Sequence, residues 1–354
     1  MKKTSKIMSL VLAGAMVLSM TACAGNTAET TSAAAKTQET AADTASKAEE
    51  TTGAEASESE TAAKAEGTTY KIGVLQLVRH TALDAANDGF IAALDDAGIA
   101  YEVDQQNASG DQSACQTVAS KFANEKKDLI LAIATPAAQA MVGAVEDTPV
   151  LITAVTDPAE SGLVDTNEKP GANVTGTSDL TPVKEQIDLL KQLVPEAKTV
   201  GVLYCSAESN SKIQADMAKE AIAAAGMESK EYTVSSSNEI QTVVQSMVGA
   251  VDAVYAPTDN VIAAGMATVG MVAGDNNLPV ICGEAGMVQN GGLATYGIDY
   301  YQLGYMTGQQ AVKILTEGAS PADMPIEYLP AEKCELTVNE ETAQTLGIDV
   351  SGLK

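Results

Sequence analysis

From Tyr70 onward, short apolar runs alternate with longer segments whose apolar residues recur at helical spacing. Residues 72–77 predict a strand, and 81–97 a helix stopped by Gly98. Residues 100–105 read as a second strand, and 111–127 as a helix with Asp111 at its N-cap. Residues 128–134 predict a strand, apolar without a break after Asp128 as a strand buried on both faces would be, and Pro136 stands where a helix begins. Residues 149–155 make a further strand that runs into Thr156-Asp157-Pro158. Strand and helix alternate throughout, which predicts a parallel sheet covered by helices.

The pattern then repeats. Val200-Gly201-Val202-Leu203 echoes Ile72-Gly73-Val74-Leu75 at an offset of 128, and Gly226-Met227 echoes Gly98-Ile99 at the same offset. Residues 251–256 echo 128–134, and Leu278-Pro279-Val280-Ile281 echoes Thr148-Pro149-Val150-Leu151 at an offset of 130. Phrases in the same order at nearly constant spacing predict two α/β lobes of one architecture. A Gly/Thr/Ser stretch at 173–181 suits a crossing between them, after which Pro182 opens a helix over 183–193. Residues 294–299 suit a second crossing, followed by a helix over 300–315 and a tail with a strand at 334–338 and a helix at 340–346. The expected lobes are therefore discontinuous: 69–178 plus 298–325, and 179–297 plus 326–350.

The first 68 residues are chemically different. Lys2, Lys3 and Lys6 precede an apolar run over 7–20 that is short for a membrane span and ends in Met20-Thr21-Ala22-Cys23. This resembles a lipoprotein signal over 1–22, with Cys23 as the lipidated N-terminus and Met20 where a Leu is usual. The alternative is an ordinary signal peptide, and either way the mature chain is exported. Residues 23–68 are nearly all Ala, Thr, Glu, Ser and Lys, too poor in apolar surface to offset the entropy of ordering, and predict a disordered linker.

The net charge of −26 divides unevenly over these parts. The linker holds nine acidic residues and three Lys, hence −6, the leader holds +3, and Thr69 onward carries −23. An acidic body without a basic stripe excludes a nucleic-acid partner and electrostatic adhesion to an anionic membrane. A single His (His80) leaves little for metal or triad chemistry, and no cofactor motif is present. Cys115, Cys205, Cys282 and Cys334 form no C-x-x-C pair and read as four buried thiols, with two disulfides open as the alternative.

Ligands of parallel sheets bind at the carboxyl ends of the strands, so candidates are sought there. In the first lobe these are Gln76, His80, Thr135, Ala137, Thr156 and Asp157. A helix starting at Pro136 offers the N–H groups of Ala137 and Ala138, with the Thr135 hydroxyl, to a ligand carboxylate. In the second lobe they are Tyr204, Ser206, Asp259, Asn260 and Glu284, with Tyr296 and Asp299 at the crossing. Asp259 is the foremost candidate partner for an ammonium group, and a helix cap is its competing role.

Six phrases carry a resemblance: Ile72-Gly73-Val74-Leu75-Gln76, Ala134-Thr135-Pro136-Ala137-Ala138-Gln139, Val155-Thr156-Asp157-Pro158, Ala172-Asn173-Val174-Thr175-Gly176, Pro257-Thr258-Asp259-Asn260 and Tyr296-Gly297-Ile298-Asp299-Tyr300. In order and spacing the chain resembles the tryptophan/tyrosine-type ABC transporter substrate-binding lipoproteins, over Tyr70 to about Val350. A monomer is expected, and the resemblance implies a type I periplasmic-binding-protein fold whose two lobes close over a small ligand. It further implies delivery to a permease and ATPase complex, with the membrane reached only through the N-terminal lipid. Thr135, Asp157, Asp259, Asn260 and Tyr296 lie on its motifs as expected ligand-lining residues. The expected function is capture of an aromatic amino acid without catalysis. The alternatives are an exported ligand-sensing domain, a carrier of another amino acid, a nucleoside or a sugar, and a lipoprotein enzyme.

Overall fold

The computed structural model describes residues 68–353, so the expected signal, lipidated Cys23 and linker lie outside the described residues. In chain order the first lobe opens with β1 (Tyr70–Gln76), α1 (Thr81–Asp96), β2 (Tyr101–Asn107), α2 (Gln112–Glu125), β3 (Leu129–Ile133), α3 (Thr135–Val142), β4 (Val150–Val155) and β5 (Val174–Ser178). The second lobe follows with α4 (Val183–Leu193), β6 (Thr199–Cys205), α5 (Ser209–Ala224), β7 (Glu228–Val234), α6 (Ile240–Met247), β8 (Ala253–Ala256), α7 (Asn260–Ala264) and α8 (Met266–Asp275). It continues through β9 (Val280–Cys282), α9 (Ala285–Gln289) and β10 (Ala294–Gly297). The chain then returns as α10 (Tyr300–Val312), β11 (Glu327–Tyr328), β12 (Glu335–Val338) and α11 (Glu340–Leu346).

Two six-stranded sheets result, ordered β11-β5-β4-β3-β1-β2 and β12-β10-β9-β8-β6-β7. All pairings are parallel except the antiparallel β10–β12. The central strands β3 and β4 are buried at every position, as uninterrupted apolar runs require. The edge strands β2 and β7 are mostly polar, and β7 opens with four polar residues, Glu228 to Glu231, which is why it gives no apolar run to read in the sequence. Asp111 caps α2 by accepting from the N–H groups of Ser113 and Ala114.

Two features differ from the sequence reading. Residues 327–328, expected in the second lobe, pair with β5 of the first sheet, and Ile326 is buried in that lobe's core. The helix expected over 300–315 turns from α to π geometry at Lys313–Glu317 and ends at Gly318, whose φ of 69° suits glycine. All four cysteines in the described residues are free thiols, three buried and Cys334 half-buried.

Two crossings, 178–183 and 297–300, meet side by side between the lobes. The Tyr300 hydroxyl of the second donates to Asp179 Oδ2 of the first at 2.8 Å. Helix α10 lies across α1 at close range because small residues line both. A Cβ on Gly304 would fall 1.8 Å from the Ala86 carbonyl oxygen, and one on Gly89 would fall 1.9 Å from that of Tyr301. Helix propensity alone would make Gly304→Ala stabilising by about 1 kcal/mol. A backbone clash outweighs that, so the substitution is expected to destabilise by ~2 kcal/mol or more in urea unfolding. A gain in stability would show that the two helices are not in backbone contact.

Candidate functional site

The carboxyl ends of both sheets face each other, and the lobes touch there through amide side chains. Gln214 Nε2, buried on α5, donates to Thr156 Oγ1 of the first lobe at 2.9 Å and also to Thr258 Oγ1. His80 Nε2 lies 3.3 Å from Asn260 Oδ1. Gln112 Nε2 donates to the Ala207 carbonyl at 3.2 Å, and Gln139 Nε2 to Ser209 Oγ at 3.3 Å.

Two cavities lie between the lobes and share Asn260. The larger is a groove of about 610 Å³ with apolar walls at Leu77, Val78, Pro136, Val261 and Ala264 and polar ones at Glu208, Asn238 and Asn260. The smaller, of about 10 Å³, is bordered by His80, Ala154, Asp179, Asp259, Asn260, Glu284 and Tyr300. Two alanines at the strand ends hold left-handed backbone conformations, Ala134 (φ 83°) after β3 and Ala154 (φ 55°) where β4 bulges. Such strain persists only where surroundings impose it, and Ala154 borders the smaller cavity.

The electrostatics are one-sided. Asp179, Glu208, Asp259 and Glu284 are all buried at the lobe junction. Among the described residues neither cavity has a Lys or Arg in its lining. Arg79 is the chain's one arginine; its side chain is 75% exposed and paired with Asp84. Burial pushes Asp179 up to about 6, against the hydrogen bonds of Tyr300 and Thr156. Burial and the neighbouring Asp259 charge push Glu208 up to about 8. Burial, with the charge of Asp179, takes Glu284 to about 7. Asp259 is raised by burial as well, and burial lowers His80.

Of the candidates read from the sequence, His80, Asp259, Asn260 and Glu284 border the small cavity, and Thr156 stands on the lobe contact. Both oxygens of Asp259 are already used: Oδ2 accepts from Cys205 N–H at 2.6 Å and Oδ1 from Ile262 N–H at 2.8 Å. Its capping role is therefore the one the geometry displays. Glu284 likewise caps α9. Thr135 and Ala137 are buried at the start of α3, with the Thr135 hydroxyl unpartnered. Ala138 N–H is spent on the Ala134 carbonyl at 3.0 Å, so only Ala137 of the expected N–H pair is left without that bond.

Five candidates are not brought to the cleft. Tyr204 packs in the second lobe's core and donates to Glu231 at 2.9 Å. Tyr296 packs against the same core beside Leu336. Asp157 closes its own turn, accepting from Ala159 and Glu160 N–H at 3.1 Å and from Asn167 Nδ2 at 3.0 Å. Ser206 is exposed and bonded to the Val234 carbonyl. Gln76 is held within its lobe by Val78 O and Asp84. Four residues at the junction had not been singled out: Asp179, Glu208, Gln214 and Thr258. Asp179 and Glu208 each follow a strand, which was the available signal. Gln214, mid-helix, gave none.

The buried carboxylates make stability depend on pH. Groups held above their unfolded values contribute stability below about pH 4, and lose it as pH rises through 6, 7 and 8. The melting temperature without ligand should therefore fall by roughly 3–10 °C between pH 5 and pH 8. Asp179→Asn and Glu284→Gln should each flatten the slope in differential scanning fluorimetry, and a flat wild-type profile would contradict this picture.

The sequence and the fold have relatives among known proteins. A family model described as ABC transporter substrate binding protein matches residues 71–352. The chain is 41% identical over 352 residues to the "Tyrosine-binding protein" of Clostridioides difficile strain R20291, covering 98% of this chain and 93% of that one. It is similar to an ABC domain in complex with L-Trp from Streptococcus pneumonia, with 39% identity and a TM-score of 0.78 over 80% of this chain and 97% of the other. It is also similar to the ligand-free, open structure of a substrate binding protein with adhesive properties from Clostridium difficile. There the identity is 46%, with a TM-score of 0.62 over 81% and 97% of the chains. An ABC sugar transporter subunit from Rhodobacter sphaeroides, at 14% identity and a TM-score of 0.55, shares the fold alone.

Proposed function

The chain belongs to the ABC transporter substrate-binding proteins, and from that premise we propose that it captures an aromatic amino acid between its lobes and carries it to a permease. It does so as a monomer outside the cytoplasmic membrane, tethered through a lipid on Cys23, and without catalysing a reaction. The observation that carries the ligand class is the pairing of a large, partly apolar groove with a small acidic cavity that has no cationic side chain in its lining. A zwitterion with a large apolar side chain complements both. Its ring fits the groove, which lies within the usual size range of small-molecule sites. Its carboxylate would find the unpartnered Thr135 hydroxyl and the first turn of α3.

The lobe arrangement supports this reading. It is closer to that of the tryptophan complex, TM-score 0.78, than to the open ligand-free relative, TM-score 0.62, although the latter is the more identical in sequence. The bonds from Gln214, His80, Gln112 and Gln139 across the seam are those that opening must break. A ligand that bridges the lobes shifts the population toward the closed form.

A thermal-shift screen over amino acids, nucleosides and sugars tests the ligand class. L-tryptophan or L-tyrosine at about 100 times Kd should add about 2.7 kcal/mol and raise the melting temperature by several degrees. A shift given only by sugars or nucleosides would sink the amino-acid reading. Gln214→Ala should weaken that binding about tenfold in calorimetry, since the closed form loses a buried bond between the lobes.

A further inference from the structure

Asp179 is the buried carboxylate that the protein itself uses least. It is 4% exposed, its Oδ2 accepts from Tyr300, and its Oδ1 has no hydrogen-bond partner. It borders the 10 Å³ cavity, which is room for one water-sized group. An ammonium group has that size. The cavity adjoins the groove at Asn260, so an amino acid lying in the groove can reach into it with its polar end.

The surroundings of that cavity are acidic from every side. Glu284 faces it from the cap of α9, Asp259 from the cap of α7, and Tyr300 from the start of α10. Glu208, buried nearby, feels the charge of Asp259. His80, at the start of α1, turns Nε2 to Asn260 and leaves Nδ1 unpartnered, and Asp84 acts on it from the same helix. Among the described residues no lysine or arginine belongs to the lining. Three carboxylates around so small a space cannot all be ionised together, so protons are shared among them until a cation arrives.

We propose that this cavity is an ammonium pocket in which the ligand's ammonium replaces a carboxyl proton, so that capture of one amino acid expels a proton and is weakened by acid. The exchange is simple: a neutral Asp179 carboxyl loses its proton to solvent, and the resulting carboxylate pairs with the ligand's –NH3+ through Oδ1. No other bond changes. The inference rests on the amino-acid reading and adds to it the charge that must leave. The raised affinity of Asp179, Glu284 and Glu208 for protons places the exchange between about pH 6 and pH 8.

Isothermal titration with L-tryptophan and L-tyrosine at pH 6.5, in phosphate and in a buffer of high ionisation enthalpy, reads the exchange directly. The heats should differ by an amount equal to roughly 0.3–1 proton released per ligand. Affinity should rise about tenfold from pH 5 to pH 7 and level only above about pH 8. Asp179→Asn should bind more weakly, release little or no proton and lose the pH dependence, and Glu284→Gln should reduce the release. Tight binding with equal heats in both buffers would overturn the exchange and leave the amino-acid reading intact. If neither amino acid binds, that reading falls. The proton is then read in the ligand-free protein by the infrared carbonyl stretch of a neutral carboxyl group. That band should be present at pH 5.5, weaker in Asp179→Asn and lost by pH 9. Its absence from the wild type at pH 5.5 would overturn the proposal without reference to any ligand.

Discussion

Four carboxylates buried where two lobes meet, with no lysine or arginine in the lining of either cavity, set the terms for the rest of the molecule. Each accepts from backbone N–H groups, amides or hydroxyls, which satisfy its oxygens without neutralising its charge, except Oδ1 of Asp179, which is left unpartnered. Hydrogen bonds of this kind lower the cost of burial but do not remove it. The fold sustains the arrangement by supplying helix starts: Asp259 and Glu284 cap α7 and α9, at the ends of neighbouring strands. A structural need, the capping of short helices, thus delivers acidic groups to the place where a cation can be held.

The rigidity around that place follows from packing. Helix α10 is clamped on α1 by glycine-backbone contacts at Gly89, Gly304 and Gly308, which fixes Tyr300 against Asp179. The seam itself is held by single amide bonds, which are individually weak and separable. Firm lobes joined by a weak seam are what a hinge motion requires.

The sequence displayed the lobes clearly because their strands are long apolar runs and because the second lobe repeats the phrases of the first. It hid β7, whose run of polar residues belongs to an exposed edge, and it hid the allegiance of Glu327 and Tyr328, since a two-residue strand leaves no periodic trace. The site was legible by position but not by role. Reading strand ends pointed to His80, Asp259, Asn260 and Glu284, which border the small cavity. It also drew in Tyr204 and Asp157, because whether a residue at a strand end turns inward or closes its own turn depends on register and local hydrogen bonds. Asp179 escaped because it follows the crossing strand β5, where chain flexibility rather than chemistry was the visible signal.

The route of the chain has a bearing on how the protein is made. The first sheet is completed at its edge by β11, and its helical layer by α10, both drawn from beyond residue 299. The first lobe therefore cannot finish folding until residues 300–328 have been released. Order of synthesis and order of folding are uncoupled, and a nascent chain stays without its finished core for most of its emergence. A protein assembled in that way remains threadable until late, which suits one that must pass a membrane before it takes its final shape.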